Sequence, residues 1–338
     1  MGYGQMGRSL AGFSRALPWL QTVGVVDSRA EGLARAGEDL GLAEEQLHER
    51  LSSALRVHRP AAVVINTPSE LHYAQAAMAL RAGAHVLVAK PAVSTVGQAL
   101  RLQALSREVR RKVAVGQQLR FNRHYRAVAA LVASGALGRI SHIHLLNSKP
   151  RPDPQNLGEM PHPAMLEMAC HHFDSLLALV PRARPLAITA QGYRPRWSPY
   201  KGHSMVDAMV ELSGGVRVLY HGGFDAQAPC YELRIEGTQG VLRARGEHMS
   251  AAHFSYELAP ALGQFSPVDL EAQVPAGGAW GVFMTQWQDW LQRGKEPSFS
   301  LRKNFPVLAL LQAGMASIDR GRRIDLLASQ PFSRLLGA

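Results

Sequence analysis

Seven residues at the start of this chain constrain it most. Met1-Gly2-Tyr3-Gly4-Gln5-Met6-Gly7 contains a full G-x-G-x-x-G. Such a loop joins a buried strand to a helix. The first glycine makes the tight turn, the second lets the backbone approach a pyrophosphate, and the third lets helix and strand pack closely. The helix N-terminus then offers free N–H groups and a positive dipole end to the phosphates. Alone the fingerprint is weak in a chain with 31 glycines, and only Met1 stands where its strand should be. The reading therefore expects a natural reading frame that begins upstream with several apolar, β-branched residues and places Met1 at an internal strand position. A chain without them is expected to lose stability and dinucleotide affinity.

The residues that follow give the loop its context. Arg8 to Leu17 has helical apolar spacing, and Thr22 to Val26 (TVGVV) is a β-branched run closed by Asp27. An acid about 20 residues past the last glycine can accept hydrogen bonds from the adenosine ribose hydroxyls, which favours NAD over NADP. Ser28 and Arg29 keep NADP open, since Arg29 can pair with a 2′-phosphate. Capping of the next helix is the other reading of Asp27. Ala30 to Ala36 and Ala43 to Leu55 look helical. AAVVI at 61–65 reads as a parallel strand buried on both faces, broken by Asn66-Thr67-Pro68, with Thr67 at the tip where ligands sit. A helix with His72, the strand HVLV at 85–88, a helix from Thr95 to about Arg110 and the strand Val113 to Gly116 complete the series. Strand–helix alternation over 1–116 predicts a doubly wound parallel sheet.

Beyond Gly116 the texture changes. A helix is expected over Tyr125–Ser134, a strand over Ile140–Asn147, a loop over Pro150–Pro163 and a helix over Met165–Val180. Period-2 runs then succeed one another from Leu186 to about Leu258, as antiparallel strands do. Helices follow over Trp280–Leu291 and Asn304–Arg320. The domains expected are thus 1–116 and 117–338, with the helix at about 304–320 packing back on the first.

Charge narrows the partners. The formal net charge is +11, but the basic residues are scattered instead of gathered on one stripe, which argues against nucleic acid and suits an anionic cofactor or substrate. The two cysteines, Cys170 and Cys230, form no disulfide framework and fit a reducing, cytoplasmic setting. No apolar run has the length of a membrane span and no signal peptide is visible.

Two places carry chemistry. Lys90 follows a buried strand, is locked by Pro91 and lies at the crevice end of the sheet; a snorkelling surface lysine is the plainer reading. Glu167 and His171 are spaced i, i+4, so on an α-helix they share a face, and a carboxylate beside an imidazole suits a general base. A satisfied core cluster is the plainer reading here. Asp174 is either a supporting partner or a carboxylate satisfied elsewhere, and His172 reads as structural. Glu167, Cys170, His171 and His172, with His162 and His203, raise a metal site that the spacing does not favour. Trp197, Tyr200, Lys201 and His203 are candidates for a substrate loop or for ordinary surface.

GYGQMG, Asp27, NTP at 66–68 with His72, HVLVAKP, GQQLRFN at 116–122, EMACHHFD at 167–174, YELRIEGTQGVLRA at 231–244 and ASIDRGRRIDL at 316–326 together resemble the Gfo/Idh/MocA oxidoreductases over nearly the whole chain. The resemblance implies an α/β protein: an N-terminal Rossmann domain and a C-terminal α/β domain with a large open, mostly antiparallel sheet, through which members form dimers or tetramers. It implies NAD or NADP held by Gly2, Tyr3, Gly4, Gln5, Met6, Gly7, Asp27, Ser28, Arg29, Asn66, Thr67, Pro68, His72, Lys90 and Gln118. Substrate would meet Lys90, Arg120, Asn122, Glu167 and His171, with Lys90 on the reacting hydroxyl and His171 as acid/base. The implied reaction is hydride transfer between nicotinamide and a secondary alcohol of a sugar, inositol or polyol. NAD-dependent glycoside hydrolysis and a non-catalytic dinucleotide-binding or interaction role are the alternatives. Two departures stand out. Ala89 replaces the family's usual glutamate before Lys90, and Glu167 replaces its aspartate.

Overall fold

The computed structural model describes residues 1–337, which divide into two compact units. The first comprises residues 1–117 and 284–304, and the second residues 118–283 and the chain from 305 onward.

In the first unit β1 (Val25–Val26), β2 (Leu47–His48), β3 (Ala62–Ile65), β4 (His85–Val88) and β5 (Val113–Val115) alternate with helices. These are α1 (Gln5–Ser14), α2 (Ala30–Leu40), α3 (Leu51–His58), α4 (Ser69–Arg81) and α5 (Val96–Glu108). β3, β4 and β5 pair in parallel, and so do β1 and β2. Helices on both faces of a parallel sheet require strands that are apolar throughout, and Ile65, Val86, Val88 and Val115 are fully buried. The pair and the triplet are separate ladders, and Met1–Gly2 lies between them. The Gly2 N–H donates to the Val26 carbonyl at 2.8 Å, the Met1 amine to the Val64 carbonyl at 3.0 Å, and the Asn66 N–H to the Met1 carbonyl at 2.9 Å. The backbone of Met1 and Gly2 therefore bonds to both flanking ladders.

Three expectations change. Only Val25–Val26 of the run 22–26 enters a ladder, because a strand persists where a neighbour bonds it. The expected helix over 43–55 is instead a 3-10 turn (Glu44–Gln46), β2 and α3. Gln46 sets that break: its side chain donates to the Val23 carbonyl (3.2 Å) and accepts from the Ala43 N–H (3.1 Å), which delivers Leu47 to the β1 edge. Finally, residues 284–304, and not the helix after them, return to the first unit. There the Val115 N–H donates to Phe299 and the Leu301 N–H to Val113, both at 2.9 Å, so this segment covers the free edge of β5.

The second unit is built on one nine-stranded sheet. Its strands are β6 (Ile140–Ser148), β7 (Pro185–Tyr193), β8 (Met205–Leu212), β9 (Arg217–Gly223), β10 (Cys230–Gly237), β11 (Gly240–Gly246), β12 (Phe254–Pro260), β13 (Ser266–Pro267) and β14 (Ile324–Asp325). They lie in the order β13-β12-β11-β10-β6-β9-β8-β7-β14, all antiparallel except β6 with β9. α6 (Arg123–Ala133) and α7 (Cys170–Leu179) pack together, α8 (Ala279–Arg293) carries the chain into the first unit's returning segment, and α9 (Phe305–Arg320) lies against β7 and α7. Burial alternates along the strands, so one face is core; Met209 and Leu219 stay exposed. Among the described residues no helix is long and apolar enough to cross a membrane.

Candidate functional site

The glycine loop is set by two different demands. Gly2 has φ +78°, and a Cβ there would sit 2.7 Å from the Asn66 carbonyl oxygen; a Cβ on Gly7 would collide with the Gly2 carbonyl. Both glycines are required by the protein's own atoms. At Gly4, by contrast, a Cβ would meet nothing within 4 Å. Gly4 caps the N-terminus of α1, whose first residues, Gln5 and Met6, are exposed. Tyr3 departs from its expected place on the cofactor. Its ring is buried with Val25 and Ala36, its hydroxyl donates to Asp39 (3.2 Å), and only its backbone serves the loop.

That backbone reaches Asp27. Oδ2 of Asp27 accepts the Tyr3 N–H at 2.7 Å, and Oδ1 accepts the Arg29 N–H at 2.9 Å. Burial pushes the carboxyl pKa up, but the Arg29 and Tyr3 amides and the Arg29 guanidinium outweigh it and hold the group below its ordinary value. Asp27 is therefore a fixed negative charge that ties the end of β1 to the loop. A Cβ at Gly32 would lie 2.7 Å from the Asp27 Cγ, so α2 approaches this closely only because Gly32 is bare. Ser28 and the side chain of Arg29 are exposed beside it.

The next two strand tips are tied together by His72. Its Nδ1 lies 2.8 Å from the Pro91 carbonyl and its Nε2 2.8 Å from the Thr67 carbonyl, and the ring is buried. Both nitrogens face protein carbonyls, and the single N–H of the neutral ring donates to one of them, so His72 is a strut that positions Thr67 and the Lys90–Pro91 turn and not the cofactor contact expected of it. Burial lowers its pKa, with the two carbonyls opposing. The Thr67 hydroxyl donates to the Gln75 side chain (2.5 Å), between Asn66 and the exposed Pro68 on one side and α4 on the other. Half-buried Lys90 follows Ala89, whose N–H continues the ladder to the Ile65 carbonyl at 2.8 Å.

In the second unit Glu167 lies in a π-helical turn, Ala164–Ala169, and His171 in the first turn of α7; both are half-buried. π-Turns inside helices concentrate at functional positions. The α-helical spacing assumed from the sequence thus holds only from Cys170 onward. Asp174 is resolved: it receives the guanidinium of Arg120 through Nε at 2.6 Å and through Nη2. Burial raises the Asp174 pKa and Arg120 opposes it. Arg120 and the buried Gln118 share the 3-10 turn Gln118–Phe121. Asn122 acts differently from the substrate contact implied for it. Its Oδ1 caps α6 at the Tyr125 N–H (2.8 Å) and its Nδ2 donates to the Met249 carbonyl (2.6 Å), so both ends of the amide are engaged inside the unit. His172 is buried against the Tyr220 hydroxyl at 2.9 Å.

His203 and His162 face each other, Nδ1 to Nδ1, at 3.2 Å, with Asp319 3.1 Å from the far nitrogen of His162. Among the described residues no group of three or more His, Cys, Asp or Glu side chains is gathered to hold a metal. Tyr200 is buried on Phe224, Lys201 pairs with Glu159 at the surface, and Trp197 is exposed. The Arg120–Asp174 pair and the His72 strut span 54 and 19 residues of chain, and no local spacing announces either.

Residues 1–117 match the oxidoreductase family profile with the NAD-binding Rossmann fold, and residues 125–243 match the GFO/IDH/MocA C-terminal domain. The inositol 2-dehydrogenase of Streptomyces avermitilis is 26% identical over 310 residues, covering 87% of this chain and 86% of that protein. An uncharacterized protein of Sinorhizobium fredii is 25% identical over 319 residues, 91% of this chain and 88% of its own. An oxidoreductase from Agrobacterium radiobacter, solved with NAD+, L-tartaric acid and magnesium, superimposes with a TM-score of 0.81 at 18% identity, over 94% of this chain and 95% of that one.

Proposed function

Because the chain belongs to the Gfo/Idh/MocA family of NAD-binding oxidoreductases, we propose that it transfers a hydride between nicotinamide and a secondary alcohol of a sugar, inositol or related polyol. Gly4 carries the reading. Gly2 and Gly7 answer to atoms of the protein, whereas Gly4 borders open space at the N-terminus of α1, in the glycine loop itself, where a ligand can approach the backbone. A pyrophosphate at the start of α1 fits that opening. The fixed charge of Asp27 suits ribose hydroxyls and repels a 2′-phosphate, which favours NAD. The likeness to an inositol 2-dehydrogenase supports the substrate class.

A bound NAD would supply the acceptor for the hydride of the alcohol carbon, and its reduced form the donor for the reverse reaction. The chain's own residues do the rest. His171 takes the hydroxyl proton as the carbonyl forms, Glu167 orients the imidazole or holds a neighbouring hydroxyl, and Lys90 polarises the reacting oxygen. His72 keeps the turn that bears Lys90 in register with Thr67. Arg120, clamped by Asp174, keeps the turn before α6 rigid and leaves Nη1 for substrate. The exposed face of the large sheet, with Met209 and Leu219, seats a second copy of the chain.

A screen of inositols and sugars with NAD, read by nicotinamide absorbance, tests this. His171→Ala is expected to cut the rate by about 10²–10⁴-fold while NAD still binds. Full activity in that variant removes His171 from the role. Failure of the parent chain to bind NAD removes the whole reading.

A further inference from the structure

β6 and β9 run parallel, so their C-terminal ends emerge together at one end of the second unit's sheet, with Ser148 opposite Gly223. The segments that leave them stay side by side. The Lys149 N–H donates to the Gly223 carbonyl at 2.9 Å and the Arg151 N–H to the Phe224 carbonyl at 3.0 Å. The turn that bears Glu167 starts beside them. The Phe224 N–H donates to the Ser204 carbonyl (3.0 Å), and the carbonyl one residue back, that of His203, accepts the Ala164 N–H (3.4 Å) at the head of the π-turn. The Asn147 side chain ties in the same turn by donating to the Met168 sulfur at 3.5 Å.

Arg151 is prepared there in a way that an ordinary surface arginine is not. Its guanidinium lies over the Phe224 ring, 5.1 Å from the centroid. Phe224 stacks on Tyr200 at 5.6 Å, and the Tyr200 hydroxyl donates back to the Arg151 carbonyl at 3.1 Å. The side chain is half-buried and stacked, yet among the described residues no acceptor takes its guanidinium N–H groups, and no carboxylate pairs with it or with Lys149. The carboxylates of this region are engaged elsewhere: Asp225 accepts the Ser204 hydroxyl, Asp153 accepts the Gln155 N–H at 3.1 Å, and Glu247 lies beside His248. Partial burial, and then Arg151, lowers the Lys149 pKa. Two cations brought this close without a counter-charge repel each other, and a bound anion relieves both.

We propose that Arg151 and Lys149 form an anion subsite in the second unit, so that the alcohol presented to His171 belongs to a polyhydroxy compound bearing a carboxylate or a phosphate. The alcohol chemistry rests on the oxidoreductase reading above, whereas the anion rests on these two side chains alone. The stacked guanidinium turns its edge to two oxygens of one anion, and the Lys149 amine adds a point charge to the same group. Neither residue moves a proton; together they fix which end of the substrate lies away from the reacting carbon.

Matched compounds test this: glucose against glucuronate, gluconate and glucose 6-phosphate, each with NAD, in the parent chain, in Arg151→Met and in Lys149→Gln. Methionine keeps an apolar stem on Phe224 while removing the donors and the charge. The parent chain is expected to favour an anionic member over glucose by about 10–100-fold in kcat/KM, carried by KM. Arg151→Met should remove most of that preference, and Lys149→Gln about fivefold or less of it. Preference for the acids assigns a carboxylate, and preference for the 6-phosphate assigns a phosphate. A damaged fold lowers the rates on neutral and anionic compounds together, so a ratio that stays put in Arg151→Met overturns the proposal, as does a parent chain without preference. If none of the four is oxidised, that result counts against the oxidoreductase reading, and calorimetry without dinucleotide decides the subsite. Binding of at least one of the three anions to the parent chain, weakened about tenfold or more in Arg151→Met, is expected. No binding of any of them, or binding that the substitution leaves unchanged, rules the subsite out.

Discussion

The two sheets of this protein are held in opposite ways. In the second unit nine strands form one unbroken ladder, and β9, bonded on both sides, keeps its strand for seven residues through two terminal glycines. In the first unit five strands fall into a pair and a triplet, joined through Met1–Gly2. There Thr22 and Val23, whose side chains favour strands, lie outside any ladder. Strand formation follows the neighbour more than the residue. The second unit should then fail through its buried polar groups, and the first through its backbone clearances.

The largest expected effect breaks the second unit. Asp174 is 1% exposed and Arg120 10%. Asp174→Ala leaves a buried guanidinium without its carboxylate and should cost about 3–5 kcal/mol. Urea unfolding followed by exchange in each unit should show the loss in the second alone. Pairing Asp174→Leu with Arg120→Met should recover most of it, because the apolar pair carries no desolvation penalty.

Acid should sharpen the same contrast. His124 and His172 are both buried, and burial lowers each pKa to about 3. A folded pKa below the unfolded one means that the unfolded chain binds more protons. Stability is therefore complete above about pH 6.5 and is lost as the pH falls toward 3. Two such groups give a slope of roughly 2.7 kcal/mol per pH unit inside that window. Urea midpoints of the second unit measured between neutral pH and about pH 5 check the slope, and His172→Gln should halve it. His72 in the first unit shifts the same way, against two opposing carbonyls, so its unit should respond less.

The glycine loop separates demands of the fold from demands of a ligand. Gly7→Ala forces the loop off the Gly2 carbonyl and should cost the first unit about 1–3 kcal/mol. Gly4→Ala meets no protein atom and should leave its melting within about 0.5 kcal/mol. NAD affinity should nevertheless fall about tenfold, the ~1.4 kcal/mol of one displaced phosphate hydrogen bond. Titration with NAD beside thermal melting distinguishes the two. Equal effects at both glycines would remove the argument from Gly4.

What the sequence shows of this molecule is what local pattern can carry. The apolar runs 62–65, 85–88 and 113–115 and the period-2 run from 186 appear as strands close to where the spacing places them. The glycine loop and Asp27 do meet, through a Tyr3 N–H that no spacing rule anticipates. Three features stayed hidden for physical reasons. β2 is two residues long and exists only because Gln46 delivers it to β1. The π-turn before His171 has the composition of an ordinary helix, AMLEMA, so the face shared by Glu167 and His171 was read from a geometry that begins only at Cys170. The return of residues 284–304 depends on the edge of β5 accepting Phe299 and Leu301, a contact between segments more than 180 residues apart. Among the side chains, His72 and Asn122 look like ligands in sequence because both are polar and lie beside functional motifs. Each instead faces backbone groups at both ends.

The smallest effect on folding is expected where the two sheets differ most in covering. The first unit's parallel sheet has helices on both faces, whereas the second unit's sheet leaves Met209 and Leu219 exposed. These two stand directly opposite one another on β8 and β9. They are ringed by His144, Asp207, Glu232, Arg234 and Arg243, an apolar centre with a charged rim. If a second copy covers this face, Leu219→Lys places a like charge against its symmetry mate and desolvates it. Stability of the isolated unit should change by no more than about 0.5 kcal/mol, since the side chain already faces water. The mass from light scattering should nonetheless fall to that of one chain. A parent chain that is already monomeric, or a Leu219→Lys variant that keeps the parent's oligomeric mass, would show that this face is left to solvent, and the second sheet would then tolerate an open face through its continuous ladder alone.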